Sequence, residues 1–356
     1  MKSKVYFISV NNPDSIPLVQ EKLKRLLKES NFLGFVPEHG RLAIKIHFGE
    51  EGNTGYVKPE YVKVVSSELK KRGVDFFLSD TNTLYKGKRL NSKDHLELAY
   101  AHGFIREKCG SKVVIPQDSK KNTAEVKVDG KFVKTAKVSR IFTEQDAILG
   151  IAHFKGHIMT GFGGALKNIG MGCAAREGKL FQHSQISPYV VSSKCISCKK
   201  CIESCPVDTI ILKDKKAYIE SSGCIGCATC IAVCPVIAID VPWESGGDTI
   251  QKKMAEYAWA VLKEKKNRSG FINFLTKITR ECDCLAKDDP RIVPDIGILV
   301  SHDPVSIDQA SFDMVKERAG YDIFKELHPL RDGFKQLKHA EEAGLGSREY
   351  ELIAVT

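Results

Sequence analysis

A repeated cysteine motif limits this chain more than any other feature. Cys195-x2-Cys198-x2-Cys201-x3-Cys205-Pro206 is followed by Cys224-x2-Cys227-x2-Cys230-x3-Cys234-Pro235, and each cysteine of the second run lies 29 residues after its counterpart. Three thiolates at this spacing wrap one face of an iron–sulfur cubane. The fourth must come from elsewhere, and in two-cluster ferredoxins the cysteine before proline ligates the other cluster. The expected ligand sets are therefore crossed: Cys195, Cys198, Cys201 and Cys234 for one [4Fe–4S] cluster, Cys224, Cys227, Cys230 and Cys205 for the other. Structural zinc sites place two ligands per knuckle rather than three plus a Cys-Pro, and no secretory signal argues for disulfides. Ile196, Ile202, Ile210, Ile225, Ile231, Val233, Val236 and Ile239 can exclude water from the cubanes, and the polar stretch 213–216 reads as a hairpin turn. Residues 188–241 are thus expected to form a bacterial-type two-[4Fe–4S] ferredoxin domain of α+β class. It interrupts a larger unit made by residues 1–187 and 242–356.

Lys and Arg (54) exceed Asp and Glu (44), a formal charge of +10. Basic stretches such as 22–25 are interrupted by apolar positions, as solvated helix faces are, so nucleic acid is not the expected partner. Two oxidised cubanes would carry roughly −2 each and bring the charge nearer about +6. Such a surface suits a redox partner protein or an acidic small-molecule ligand. No apolar run approaches the ~18 residues of a membrane helix, and the first residues read as a strand rather than a signal peptide. The expected location is the cytoplasm.

Outside the cysteine runs, apolar strands alternate with amphipathic helices. Strands are expected at 4–10, 42–48, 75–78, 113–115, 147–152, 296–300 and 349–355. Helices are expected after the first strand, at 59–71, around 95–101, from Asp248 with Gln251 as a cap-like pair, and from Asp303-Pro304. Val19, Leu23, Leu26 and Leu27 mark the buried face of the first helix, and Asp129-Gly130 marks a hairpin. This alternation predicts a mostly parallel α/β sheet with ligands at the carboxyl ends of its strands.

The richest strand-end loop is HFKGHIMTGFGGALKNIGMGC, residues 153–173. Gly161, Gly163 and Gly164 would let backbone N–H groups approach an anion or cofactor, with Lys167 supplying charge or a nucleophile. His157 and His183 can act as bases or metal ligands, and these two with Lys167 are expected to converge on one ligand. Lys45, His47, Glu50, Asp80, Thr81 and Asn82 lie at other strand ends. Cys282-Asp283-Cys284 is a Cys-x-Cys pair that can hold a further metal, with Cys173 as a third ligand. Cys109 reads as an ordinary buried thiol, and Asp303 as a helix cap.

The strings KIHFGEEGN (45–53), LSDTNTLYKGKR (78–89), HFKGHIMTGFGGALKNIGMGC, ECDC (281–284) and DIGILVSHDPVSIDQA (295–310) resemble the DUF362 family of Fe–S centre proteins. The family name implies an architecture and no established reaction. The order His157, Lys167, His183 around GFGGALK is also similar to the nickel-pincer lactate racemases. That likeness implies a two-lobed α/β fold with a catalytic histidine, a lysine holding the pincer cofactor and a nickel-ligating histidine. The segment SDTNTLY (79–85) lacks the second catalytic histidine such an enzyme would have. Two function classes follow. One is a redox enzyme passing single electrons between two [4Fe–4S] clusters and a ligand, or a further metal or organic cofactor, in the α/β cleft. The other is a non-catalytic electron carrier or docking protein, and a pincer-type isomerase is a third, more distant reading. No G-x-G-x-x-G follows the first strand, so no dinucleotide is implied.

Overall fold

The computed structural model describes residues 2–12, 14–85, 87–183, 187–224, 226–242 and 249–356. Its centre is one eight-stranded sheet. The strands run in the order Tyr350–Ala354, Ser3–Ser9, Gly297–Ser301, Ser269–Leu275, Ala147–His153, Arg41–Ile46, Asp75–Ser79 and Val113–Val114. All neighbours pair in parallel except Gly297–Ser301, which is antiparallel to both of its partners. The class is therefore α/β with a mostly parallel sheet.

The period of two along the strands divides the core into two layers. Leu42, Ile44, Ile46, Leu149, Ile151, Ile272 and Phe274 face helices Ile16–Glu29 and Pro59–Lys71, where Val19, Leu23, Leu26 and Leu27 are buried. Ala43, Ile148 and Phe271 face the opposite layer, made by Ala165–Gly170, Thr249–Leu262, Pro304–Ala319 and Phe334–Glu342. Lys45 lies on this second face, in register with Gly150. The missing side chain at Gly150 leaves room there for Ile169 and Phe271. Asp303 caps its helix by accepting from the backbone N–H groups of Val305 and Ser306.

Several expectations change. The central strand Ser269–Leu275 was not anticipated. The hairpin around Asp129-Gly130 pairs Lys127 with Thr135 and continues through Val128 N–H to the Lys134 carbonyl and Gly130 N–H to the Val133 carbonyl, so the chain reverses at 131–132, just past Asp129-Gly130. Lys22 bonds Asp14 at 2.6 Å and is not a free solvent-facing charge. Asp248 and Ile225 lie outside the described residues. Among the described residues no helix is long and apolar enough to cross a membrane.

The cysteine stretch carries its own apolar cluster, in which Cys195, Cys201 and Cys230 pack with Ile210, Ile219, Ile231 and Ile239. Tyr189–Val190 pairs antiparallel with Ile239–Asp240, and Ile210–Lys213 with Lys216–Ile219. The sequence repeat is also a backbone repeat. Left-handed φ values at Ser197, Lys199 and Asp208 recur at Gly226, Ala228 and Ile237, each 29 residues on, and short helices Lys200–Glu203 and Thr229–Val233 follow the second residue of each set.

Candidate functional site

Two small cavities lie among the cysteines. One, of about 360 Å³, is lined by Cys195, Cys198, Cys201 and Cys234. The other, of about 320 Å³, is lined by Cys205, Cys224, Cys227 and Cys230. Each takes three cysteines from one run and the fourth from the other. All eight are free thiols. Backbone N–H groups already point at sulfur, from Ala217 to Cys195 Sγ at 3.5 Å and from Ala238 to Cys234 Sγ at 3.2 Å. The first of these bonds brings the Cys195 thiol below its ordinary pKa. Burial pushes Cys230 up to about 12, the cost of an isolated thiolate in an apolar shell.

A larger cavity, of about 870 Å³, opens at the carboxyl ends of the parallel strands. Lys45 reaches it from strand Arg41–Ile46, Asp80 from just past Asp75–Ser79, and His153, Lys155, His157 and Lys167 from the end of Ala147–His153 and the segment that follows it. Lys167, His157 and His183 all line it, as do Gly163 and Gly164. Gly161 does not. It sits in the turn of the Lys155–His157/Gly161–Gly163 hairpin at φ 75°, backed against Gly333.

The glycines serve the chain's own packing. A Cβ on Gly163 would lie 2.7 Å from Lys167 Cδ, and one on Gly164 2.2 Å from Asp308 Oδ1. Asp308 also accepts from the N–H groups of Ala165 (2.7 Å) and Leu166 (2.9 Å), and Asn273 Nδ2 donates to it at 2.8 Å. The N–H groups of Ala165 and Leu166, just past the glycines expected to cradle an external anion, are thus occupied by an internal carboxylate. Burial raises the Asp308 carboxyl to about 6 despite these bonds. Its role was not foreseen, although it falls within the 295–310 string.

The cavity is rich in cations. Among the described residues, Lys45, Arg89, Lys155, Lys167 and Lys179 line it, against the single carboxylate of Asp80. Lys45 Nζ lies 3.0 Å from Asp80, Arg89 bonds Glu50 at 3.2 Å, and Lys155 is 3.3 Å from Asp283. Burial would raise the Asp80 carboxyl, but the field of Lys45, Lys179 and Arg89 holds it near 2. Lys179 instead donates to the carbonyls of Thr81 and Asn82, and burial lowers it to about 7. Lys167 Nζ meets Cys282 Sγ at 3.3 Å. Burial opposes the lysine's charge, but the two nearby cysteines raise its pKa overall. Burial next to Lys167 keeps His157 neutral, burial and the Arg89 charge do so for His47, and His183 falls to about 3.

Cys284 lines this cavity from the loop after Ser269–Leu275, and Cys282, two residues before it, meets Lys167. Their sulfurs and one ring nitrogen of His157 all lie within 4.8 Å of one another. Cys173, expected as a third partner, is not in this group. It is packed in the apolar core and raised to about 12 by burial. His157 takes its place, from 125 residues upstream of Cys282.

The DUF362 model, described as a domain of unknown function, matches residues 42–313. No curated protein matches the chain in sequence. Among solved structures, a Thermotoga maritima protein from a structural genomics programme superposes with a TM-score of 0.42 and 16% identity, over 87% of this chain and 60% of that one. The lactate racemase apoprotein from Thermoanaerobacterium thermosaccharolyticum gives 0.41 and 13%, over 76% of this chain and 50% of that one. The chain therefore spans less than two thirds of the length of either protein.

Proposed function

This chain belongs to the DUF362 family, and we propose that it is an iron–sulfur redox protein that exchanges electrons with an anionic small molecule held in the strand-end cavity. The observation that carries this reading is the crossed lining of the two small cavities, three cysteines from one run and one from the other in each. Cys195, Cys198, Cys201 and Cys234 would hold one cluster, and Cys205, Cys224, Cys227 and Cys230 the second. When bound, the two [4Fe–4S] groups supply one-electron transfer. The N–H donors at Cys195 and Cys234 suit sulfur that carries negative charge.

Apolar continuity supports the link between cysteines and cavity. Leu84 and Leu180 belong to the cysteine stretch's apolar cluster. Leu84 also lines the large cavity, and Leu180 shares its helix with Lys179 and His183, which line it too. An anionic ligand follows from the charge excess. Among the described ion pairs, Lys167 has no carboxylate, and its raised pKa keeps it charged. Lys167 binds and orients the ligand's negative group, and His183, a neutral imidazole, can exchange a proton with it.

Anaerobic purification, then mass spectrometry of small molecules released on denaturation, tests the assignment. The wild type is expected to release an anionic compound at about one per chain, and Lys167→Ala to lose it while keeping its iron. Retention of the compound by Lys167→Ala would remove the lysine from the site. An empty wild type exchanging electrons rapidly with a redox protein would favour the carrier reading.

A further inference from the structure

The loop that follows strand Ser269–Leu275 ends in two thiols whose placement the cluster reading does not use. They are fixed from several sides. The backbone carbonyl of Asp283, between them, accepts from Glu50 N–H at 2.9 Å. The Asp283 carboxylate bonds His153 Nδ1 at 2.9 Å, with Lys155 beside it at 3.3 Å. Thr279 Oγ1 donates to the Glu281 carbonyl at 2.7 Å, and Arg89 reaches the carbonyl of Cys284. Asp283 and Cys282 are both buried. A loop held this firmly presents its two sulfurs in one geometry, which a metal site requires and a spare thiol pair does not.

From this constellation we infer that His157, Cys282 and Cys284 form a third metal site, for one thiophilic divalent cation of the zinc class, separate from the eight-cysteine stretch. Two thiolates and an imidazole are a ligand set that selects borderline-soft cations over magnesium or calcium. Three protein ligands leave a fourth position for water or a substrate, as catalytic rather than structural zinc sites do. His157 and Cys284 both line the large cavity, so that position faces it. Lys167 Nζ, 3.3 Å from Cys282 Sγ, supplies a donor to the thiolate and offsets part of the two sulfurs' charge.

One local change accompanies loading. His157 Nδ1 accepts from the Met159 backbone N–H at 3.1 Å. A metal-ligating imidazole carries its remaining proton on the other nitrogen as a donor. Binding through Nε2 must therefore turn the ring off the Met159 amide.

The test uses the full chain, anaerobic and with its iron in place, with zinc(II) as the probe. After desalting, the wild type should keep one zinc per chain. Its zinc-edge X-ray absorption should show two sulfurs at ~2.3 Å and a nitrogen at ~2.0 Å. The double variant Cys282→Ser/Cys284→Ser and His157→Ala should each lose this zinc and keep the wild-type iron. Hydrogen exchange at the Met159 amide should speed up when zinc binds. A wild type that keeps no zinc, or zinc surrounded by four sulfurs, would overturn the site. So would a Cys282–Cys284 disulfide in the protein as purified. The wild-type spectrum decides even if a variant fails to fold. A two-sulfur, one-nitrogen spectrum in a protein without iron would sink the cluster reading and leave this one standing.

Discussion

At the scale of single residues, the cavity concentrates charge that the sequence displays only as scattered lysines. Lys45, Lys155 and Lys179 come from three distant segments, and nothing in their spacing marks them as neighbours. Strand-end position was legible for Lys45 and Asp80, because a buried apolar strand ends there. Their ion pair was not, since it depends on which strands are adjacent. The same holds for His157 with Cys282 and Cys284: the Cys-x-Cys pair stood out, but its third partner is set by the parallel pairing of Ala147–His153 with Ser269–Leu275. Lys179 gives a prediction with a definite sign. Burial lowers its ammonium to about 7, whereas the unfolded chain binds that proton up to about 10. Between those values the unfolded state holds more protons, so stability rises with pH there. Urea midpoints of the wild type should climb more steeply between pH 7 and 9 than those of Lys179→Met. Equal slopes would show that the lysine does not titrate as described.

At the scale of elements, helices with one polar face and turns with Gly or Pro were readable. Pro59–Lys71 and the buried face of Ile16–Glu29 follow directly from periodicity. The strand Ser269–Leu275 was hidden by its burial. Six of its seven residues are enclosed, so it carries no polar alternation to set it apart from a short core segment. The glycine loop was legible as a special place, yet its reason lies in the helix Pro304–Ala319. Asp308 on that helix fills the start of Ala165–Gly170 and needs Gly164 bare. Glu256 plays a comparable joining role. It accepts from the N–H groups of Phe132 and Val133 and meets His339 Nε2 at 2.8 Å, tying helix Thr249–Leu262 to the 128–134 loop and to helix Phe334–Glu342. Glu256→Gln turns an NH₂ group towards these donors and is expected to cost about 1–3 kcal/mol in urea unfolding. The exposed Glu264→Gln should stay within about 0.5 kcal/mol. Equal effects of the two would mean that Glu256 joins nothing.

At the scale of the whole molecule, a 29-residue repeat in sequence, in backbone φ and in cavity lining is set into a chain that brings residues of the 45–53, 78–89, 153–173 and 281–284 motifs to one cavity at the strand ends. The repeat was fully visible beforehand because cysteine spacing is local. How the stretch meets the α/β sheet, through Leu84 and Leu180, was not visible, because those contacts join apolar residues with no distinguishing pattern. The central claim is that the eight cysteines hold two cubanes in crossed fashion. Iron and acid-labile sulfide, measured on anaerobically purified wild type and on Cys205→Ser, test it most directly. The account predicts about eight of each per wild-type chain, and in Cys205→Ser selective damage to the cluster held by Cys224, Cys227 and Cys230. Zinc without sulfide in the wild type, or loss in the variant of the cluster held by Cys195, Cys198 and Cys201, would contradict it.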